Sequence, residues 1–395
     1  MRKEQLTNKY PDTILALGDS QTDTASNYGV LSADMWTSTL CKMLNKDGKS
    51  YQPRVFARSG YTTNQILGLA DCIFMYDTPK VGIIYAGVND PASSVSTSTA
   101  QAGTANTITL QAGSLTRQNS YVGQIIRVGS DVRTIIAYDI ATLVATVNQT
   151  FTTNPTSSTT YTIDAPTPTQ TQTNLQALAK CFKFAVKGVS AGTGSLISVW
   201  SASMLPKNAK IGDRMIVMQD ISSTGGCKNN LVSTNQTIVA NYSSSPTQAV
   251  WECRNSLAGE LGWSRVAISS TVPFEDGCSS VIVVTPNYQN WSTGGDNFNT
   301  ITSTGTKYTG YVQIRQACVD ASQAESVKLC DLYDYMSKLI YANQNGSTLF
   351  EGVATYAEVT QGDFAWHYID GNQHHNEYGH LVVARAVYLS ADTIL

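Results

Sequence analysis

Charge is scarce in this 395-residue chain: Asp, Glu, Lys and Arg together make up 14%, against roughly 25% in an ordinary soluble domain. Neither sign dominates, since the formal net charge is −3, so no basic surplus exists to neutralise phosphates and a nucleic-acid partner is not expected. No apolar run approaches the ~20 residues of a membrane span. The opening stretch MRKEQLTNKYPDT also lacks the apolar core of a secretory signal, so a protein without signal peptide or membrane insertion is expected. None of the eight cysteines (Cys41, Cys72, Cys181, Cys227, Cys253, Cys278, Cys318 and Cys330) falls in a C-x-x-C pair, which argues against a structural zinc site. Reduced, mostly buried thiols are expected, with disulfides among Cys227, Cys253 and Cys278 as the alternative. Histidine is absent before position 367; His367, His374, His375 and His380 all lie in the tail. Any chemistry that needs an imidazole near neutral pH must draw it from there.

What is present is ample core material, 42% hydrophobic and 9% aromatic residues, which excludes global disorder. The length exceeds twice the rough ~150 residues per domain, so one enzyme domain with inserted modules, or two to three domains, is expected. Residues 13–17 (TILAL) form a short apolar run ending at Gly-Asp-Ser, as a buried parallel strand does before a strand-to-helix turn. Helical spacing through Met35, Trp36, Leu40 and Leu44, with a Ser cap, predicts a helix over 32–44. A strand follows at 53–57, a helix at 63–72 and a clearer strand at Val81–Ala86 that stops at Gly87-Val88-Asn89-Asp90. This alternation is the pattern of an α/β parallel sheet, whose active sites lie in loops at the carboxyl ends of strands.

The pattern then changes. From Pro91 to Pro168 the only charged residues are Arg117, Arg127, Asp131, Arg133, Asp139 and Asp164. Short β-type runs at 106–110, 122–128, 132–138 and 142–147 predict a small antiparallel module without helices. A helix is predicted at 172–187, where Leu175, Leu178, Phe182 and Val186 share a face. A second β-rich stretch spans about 190–272, and Ala102-Gly103-Thr104 and Ile108-Thr109-Leu110 find weak echoes in Ala191-Gly192-Thr193 and Ile197-Ser198-Val199. Residues 280–285 (SVIVVT) read as a fourth buried strand, followed by helices at 311–326, 329–341 and 376–390. The expected architecture is a three-layer parallel-sheet α/β domain, flavodoxin-like, interrupted by two small β-rich modules. Its parts would be residues 1–91, 169–189 and 276–395, with the modules at 92–168 and 190–275.

Four separated segments carry candidate chemistry. Gly18-Asp19-Ser20-Gln21-Thr22-Asp23 follows the first strand, and a serine there is a nucleophile only if a base takes its proton. Ser59-Gly60 follows the second strand and Gly87-Val88-Asn89-Asp90 the third; a glycine N–H and an asparagine amide are the donor types that stabilise a tetrahedral oxyanion. The tail segment Asp370-Gly371-Asn372-Gln373-His374-His375-Asn376-Glu377-Tyr378-Gly379-His380 supplies an imidazole and a nearby carboxylate. Taken singly, each has a plainer reading. Gly-Asp-Ser and Gly-Val-Asn-Asp are common turns, Asp23 and Asp90 read as turn and cap residues, and His374, His375 and His380 have metal-ligand chemistry. Adjacent His374 and His375 cannot point the same way from regular structure, which weakens the metal reading.

Together the four resemble the blocks of the SGNH/GDSL hydrolase family, which supply Ser, Gly, Asn and His in this order. The likeness covers residues 10–90 and about 280–395, not the β-modules. The resemblance implies Ser20 as nucleophile, an oxyanion hole from the N–H groups of Ser20 and Gly60 and the side chain of Asn89, and His374 as general base within His374-x-Asn376-x-x-Gly379. It implies no cofactor and no metal. The family places its acid three residues before the histidine, where this chain has Gly371; Asp370 is four residues away. Asp370 is thus either the triad acid across a one-residue bulge or a loop cap beside a Ser–His dyad.

Tyr288 and Trp291, just after the fourth strand, are expected to touch substrate. Trp200, Trp251 and Trp263 read either as module core or as sugar-stacking faces. The Ser/Thr-rich module resembles those of bacteriophage tail and spike proteins. The combined expectation is a serine esterase of a phage tail, removing O-acetyl groups from a bacterial surface polysaccharide, with other tail proteins as partners and a homotrimer by analogy. The alternatives are a lipase-like carboxylesterase and a non-catalytic glycan-binding virion protein.

Overall fold

The computed structural model describes residues 12–23, 30–69, 73, 78–90, 96–112, 114, 121, 125–147, 149–164, 166–190, 197–198, 212–222, 237–238, 242–255, 261–265, 277–287, 306–336 and 374–391. In chain order its first elements are β1 (Asp12–Gly18), α1 (Trp36–Lys46), β2 (Tyr51–Ala57), α2 (Thr63–Leu67) and β3 (Val81–Tyr85). Next come β4 (Ser96–Thr99), β5 (Ala102–Gly103), β6 (Thr107–Thr109), β7 (Ile125–Val128), β8 (Asp131–Asp139), β9 (Val144–Val147) and β10 (Thr160–Ile163). The helix α3 (Pro168–Lys183) leads to β11 (Val186–Ser190), β12 (Ile197–Ser198), β13 (Arg214–Ser222), β14 (Thr237–Ile238), β15 (Tyr242–Asn255) and β16 (Leu261–Arg265). The chain returns through β17 (Ser280–Val284), α4 (Thr306–Glu325), β18 (Lys328–Cys330) and α5 (Glu377–Ala391).

The central sheet has the order β2-β1-β3-β17-β18 with every pairing parallel. Strand alternation splits its side chains between two faces. Ile14, Ala16, Val81, Ile83, Tyr85, Ile282 and Val284 join one buried cluster with α1 and α5. Leu15, Leu17, Ile84, Val281 and Val283 join another with α2, α3 and α4. The result is three layers, helices on both faces of a parallel sheet, as the near-continuous apolar strands require. Gly82 leaves room on the second face, where an added Cβ would meet the Phe182 ring at 2.4 Å.

Among the described residues three further sheets occupy the middle of the chain, the smallest being the pair β12-β14. Strands β4-β10-β7-β8-β9-β6-β5 form a seven-stranded antiparallel sheet with its own buried cluster around Ile108, Ile126, Ile135, Tyr138 and Tyr161. Strands β11-β13-β15-β16 form a four-stranded sheet, and Val186, Ile216 and Val250 from it pack into the same cluster as α3. Register sets Trp251 opposite Arg265 and Trp263 opposite Cys253; Trp200 lies outside the described residues. The sequence echo does not carry into pairing. β5 and β6 form a hairpin within the large sheet, whereas β12 pairs with β14.

Several element ends differ from expectation for local reasons. The helix expected from Ser32 starts at Trp36, because Ser32 turns with Leu31–Asp34 and lends its carbonyl to the Ser38 hydroxyl at 2.8 Å. The helix expected at 172–187 begins at Pro168, capped by Thr167 Oγ1 accepting from the Gln170 N–H at 3.2 Å, and ends before Ala185, whose φ is +49°. Residues 329–330, expected to begin a helix over 329–341, instead belong to the edge strand β18; the chain breaks at Ser326, φ +51°, and helical turns resume at 332–336. Cys278 is a free, buried thiol, as are Cys41, Cys181, Cys318 and Cys330, which removes it from the disulfide alternatives. Burial pushes the Cys41 and Cys330 thiols up to about 12, so neither is a nucleophile at neutral pH. Among the described residues no helix is long and apolar enough to cross a membrane.

Candidate active site

The strand order reverses between β1 and β3: the chain moves outward from β1 to β2, then crosses back to β3 and on to β17 and β18. Loops leaving two such strands diverge and open a crevice at their carboxyl ends. Ser20 is in the loop after β1 and Asn89 in the loop after β3, one on each side of that crevice, while Gly60 follows the neighbouring β2.

The Ser20 loop is a tight turn. Thr22 and Asp23 donate their N–H groups to the Asp19 carbonyl at 3.0 and 2.9 Å, and the Asp19 carboxylate accepts the Gln21 N–H at 3.0 Å. Gly18 is required by closeness rather than by φ. A Cβ there would lie 2.5 Å from Thr22 Oγ1 and 2.7 Å from the Tyr85 carbonyl. Ser20 itself is 8% exposed.

Three polar contacts tie the loops together. The Ser59 N–H donates to Asp23 Oδ2 at 2.9 Å, joining the first loop to the second. Gly60 follows with φ +79°, the left-handed region that glycine adopts without cost. Asn89 donates one Nδ2 hydrogen to the Tyr61 carbonyl at 3.0 Å, joining the third loop to the second. An amide carries two such hydrogens, and this contact uses one of them. Asp90 anchors the third loop from beneath: its carboxylate accepts the Thr63 N–H at 2.8 Å, the Thr63 hydroxyl at 2.6 Å and the Thr171 hydroxyl. Asp23 and Asp90 thus serve as tie and cap, as the sequence suggests.

The tail reaches the same end of the sheet. Asn376 immediately precedes α5, and its Oδ1 accepts the Gly379 N–H at 3.1 Å as an N-cap does. His375, 2% exposed, brings Nε2 within 3.4 Å of the Tyr85 hydroxyl, and Tyr85 is the last residue of β3, in register with Gly18. The His375 imidazole is therefore committed to the core, and His374 beside it is half-buried. Among the described residues no hydrogen bond joins the Ser20 hydroxyl to His374; without substrate such nucleophile–base contacts are commonly long. Asp370, Tyr288 and Trp291 lie outside the described residues. Among those described, no group of three or more His, Cys, Asp or Glu side chains could hold a metal ion.

Burial sets the electrostatics. Asp19 is fully buried, and desolvation, reinforced by Asp90, raises its carboxyl to about 7 despite N–H donors from Gln21 and Val88. Asp90 is raised for the same reason, opposed by its threonine donors. Burial lowers His380 to about 4, so that imidazole stays neutral. In the sequence Trp36 and Tyr85 read as core and His375 as a residue with metal-ligand chemistry; the one signal of its buried position is the adjacent histidine pair, which must diverge.

No protein-family model and no curated protein matches the sequence. Among solved structures the chain is similar to TesA, at 11% identity and TM-score 0.39, covering 97% of this chain and 100% of the other. It is also similar to a variant of Axe2, an acetyl xylan esterase from Geobacillus stearothermophilus, at 10% identity and TM-score 0.40, covering 96% and 94%. A shorter likeness, 26% identity and TM-score 0.19 over 21% of this chain and 43% of the other, is to AlinE4, an SGNH-hydrolase family esterase.

Proposed function

We propose that the chain is a serine esterase that works through an acyl-enzyme. What supports this reading is that the loops after β1, β2 and β3, which carry Ser20, Gly60 and Asn89, are joined by the Ser59–Asp23 and Asn89–Tyr61 hydrogen bonds at the reversal point of a parallel sheet, and that His375 of the tail reaches Tyr85 at the same end. In the reaction His374 takes the Ser20 proton as Oγ attacks an ester carbonyl. The developing oxyanion is held by the Ser20 and Gly60 N–H groups and the second Asn89 amide hydrogen. The protonated imidazole then gives its proton to the departing alcohol, and water, activated by the same imidazole, releases the acid. Asp370 orients the imidazole, and Tyr288 and Trp291 contact the substrate. No cofactor enters any of these steps.

The substrate we propose is an O-acetylated polysaccharide of a bacterial surface, met by a phage tail protein that acts as a homotrimer beside other tail proteins. Support comes from the Ser/Thr-rich, weakly charged strands β4–β10, whose composition resembles that of tail and spike modules. Residues 92–168 and 190–275 would then be modules placed within a hydrolase domain of residues 1–91, 169–189 and 276–395. Acetate release from O-acetylated capsule or lipopolysaccharide by wild type, absent in Ser20→Ala, is the expected result. Brisk hydrolysis of long-chain esters without acetate release would replace it with the lipase-like reading, and binding of the glycan without any turnover with the non-catalytic one.

A further inference from the structure

A set of buried polar side chains with no part in the chemical steps connects the two halves of the site. Tyr85 ends β3, and its phenol lies 3.4 Å from His375 Nε2. The Tyr85 ring meets Trp36 edge to face, with centroids 6.1 Å apart and planes at 69°. Trp36 Nε1 donates to the Gln21 carbonyl at 3.2 Å. His375 in turn packs edge-on against His380, centroids 5.6 Å apart, on the first turn of α5. Trp36 and Tyr85 are 0% exposed, His375 2% and His380 3%. Gln21 is the residue after Ser20, and His375 the residue after His374. The path from one to the other is two aromatic rings.

Apolar side chains of the same shape would fill this space without the desolvation cost that a phenol, an indole N–H and two imidazoles carry. The phenol and the indole N–H are spent on contacts to residues 375 and 21, the immediate neighbours of the two reacting groups. We propose that Trp36, Tyr85 and His375 form a positioning brace that sets the separation of the Ser20 hydroxyl from the His374 imidazole. This rests on the esterase reading above. The brace residues touch no substrate; they act through the backbone on either side, where a displacement of about 1 Å is enough to cost up to ~100-fold in rate.

The test uses the full chain with Tyr85→Phe, which keeps the ring against Trp36 and removes only the hydroxyl, together with His375→Leu and His375→Gln. With p-nitrophenyl acetate, kcat is expected to fall about tenfold or more in Tyr85→Phe and His375→Leu with KM within about twofold. His375→Gln, whose amide can still meet the phenol, recovers part of the loss. Hydrogen exchange at the amides of residues 374–382 is expected to quicken in the two damaging variants. Unchanged kcat with unchanged exchange overturns the brace, as does a loss in which kcat and KM shift together and glutamine gives no recovery. Should wild type and Ser20→Ala turn over esters equally, the esterase reading fails by itself. The exchange data then decide the brace alone: faster exchange in Tyr85→Phe supports it and unchanged exchange refutes it.

Discussion

At the scale of single residues, the crevice depends on groups placed where bulk or charge has nowhere to go. Gly18→Ala puts a methyl against Thr22 and the Tyr85 carbonyl, and a backbone oxygen cannot step aside. A loss of about 1–3 kcal/mol in urea unfolding is expected, with activity falling as the Ser20 turn shifts. Asp19 and His380 give opposite pH signatures. Asp19, raised from 3.8 to about 7, keeps a proton in the native state that the unfolded chain has released, so its contribution is present below about pH 4 and lost as pH rises through about 7. His380, lowered from 6.5 to about 4, is neutral in the native state while the unfolded chain protonates, so its contribution is present above about pH 6.5 and lost as pH falls through about 4. Melting curves from pH 4 to 7 should show Asp19→Asn gaining on wild type as pH rises and His380→Leu gaining as pH falls. Parallel curves for wild type and both variants would refute these assignments. The residue types of the turn after β1 are legible in the sequence, but their burial is not, because it depends on β3 lying beside β1.

At the scale of elements, Asp90 is the hub. Its carboxylate holds the N-terminus of α2 through Thr63 and the first turns of α3 through Thr171, and Asn174 of α3 donates to the Thr63 hydroxyl at 3.1 Å. Asp90→Asn leaves one acceptor oxygen for three donors. A cost of about 2–3 kcal/mol is expected from the buried hydroxyls left over, together with a fall in kcat as Asn89 loses its footing; a variant with unaltered stability would show that the threonines find other partners. The long apolar strands and the helices with clear spacing were legible because burial on one face imposes a period. Strand β18 was not. Three residues carry no period, and its place at the sheet edge is set by pairing with β17 across 46 positions of sequence, Ile282 opposite Lys328. The start of α1 was missed because Ser32 engages through its carbonyl, a choice that composition does not encode.

For the whole molecule, the three buried clusters divide the chain unequally. The cluster of residues 100–163 shares no member with the two that sandwich the parallel sheet, whereas β13 and β15 bury Ile216 and Val250 beside α3. Calorimetry is expected to resolve a separate transition for the seven-stranded sheet and to melt β11–β16 with the parallel core; one cooperative transition for everything would contradict this. The change in composition after Pro91 made the large sheet visible in the sequence. The dependence of β13 and β15 on α3 was hidden, because Ile216 and Val250 meet the α3 cluster only through tertiary packing. The order Ser, Gly, Asn, His is a pattern along the chain, whereas the contacts that link Gln21 to His375 through Trp36 and Tyr85 appear only in three dimensions.

The most direct test of the central claim is covalent capture of the nucleophile by a fluorophosphonate, read by peptide mass spectrometry and by labelling rate. One adduct on Ser20 is expected in wild type, none at that position in Ser20→Ala, and labelling slowed by at least ~100-fold in His374→Ala. An adduct on a different serine, or His374→Ala labelling as fast as wild type, would contradict the account.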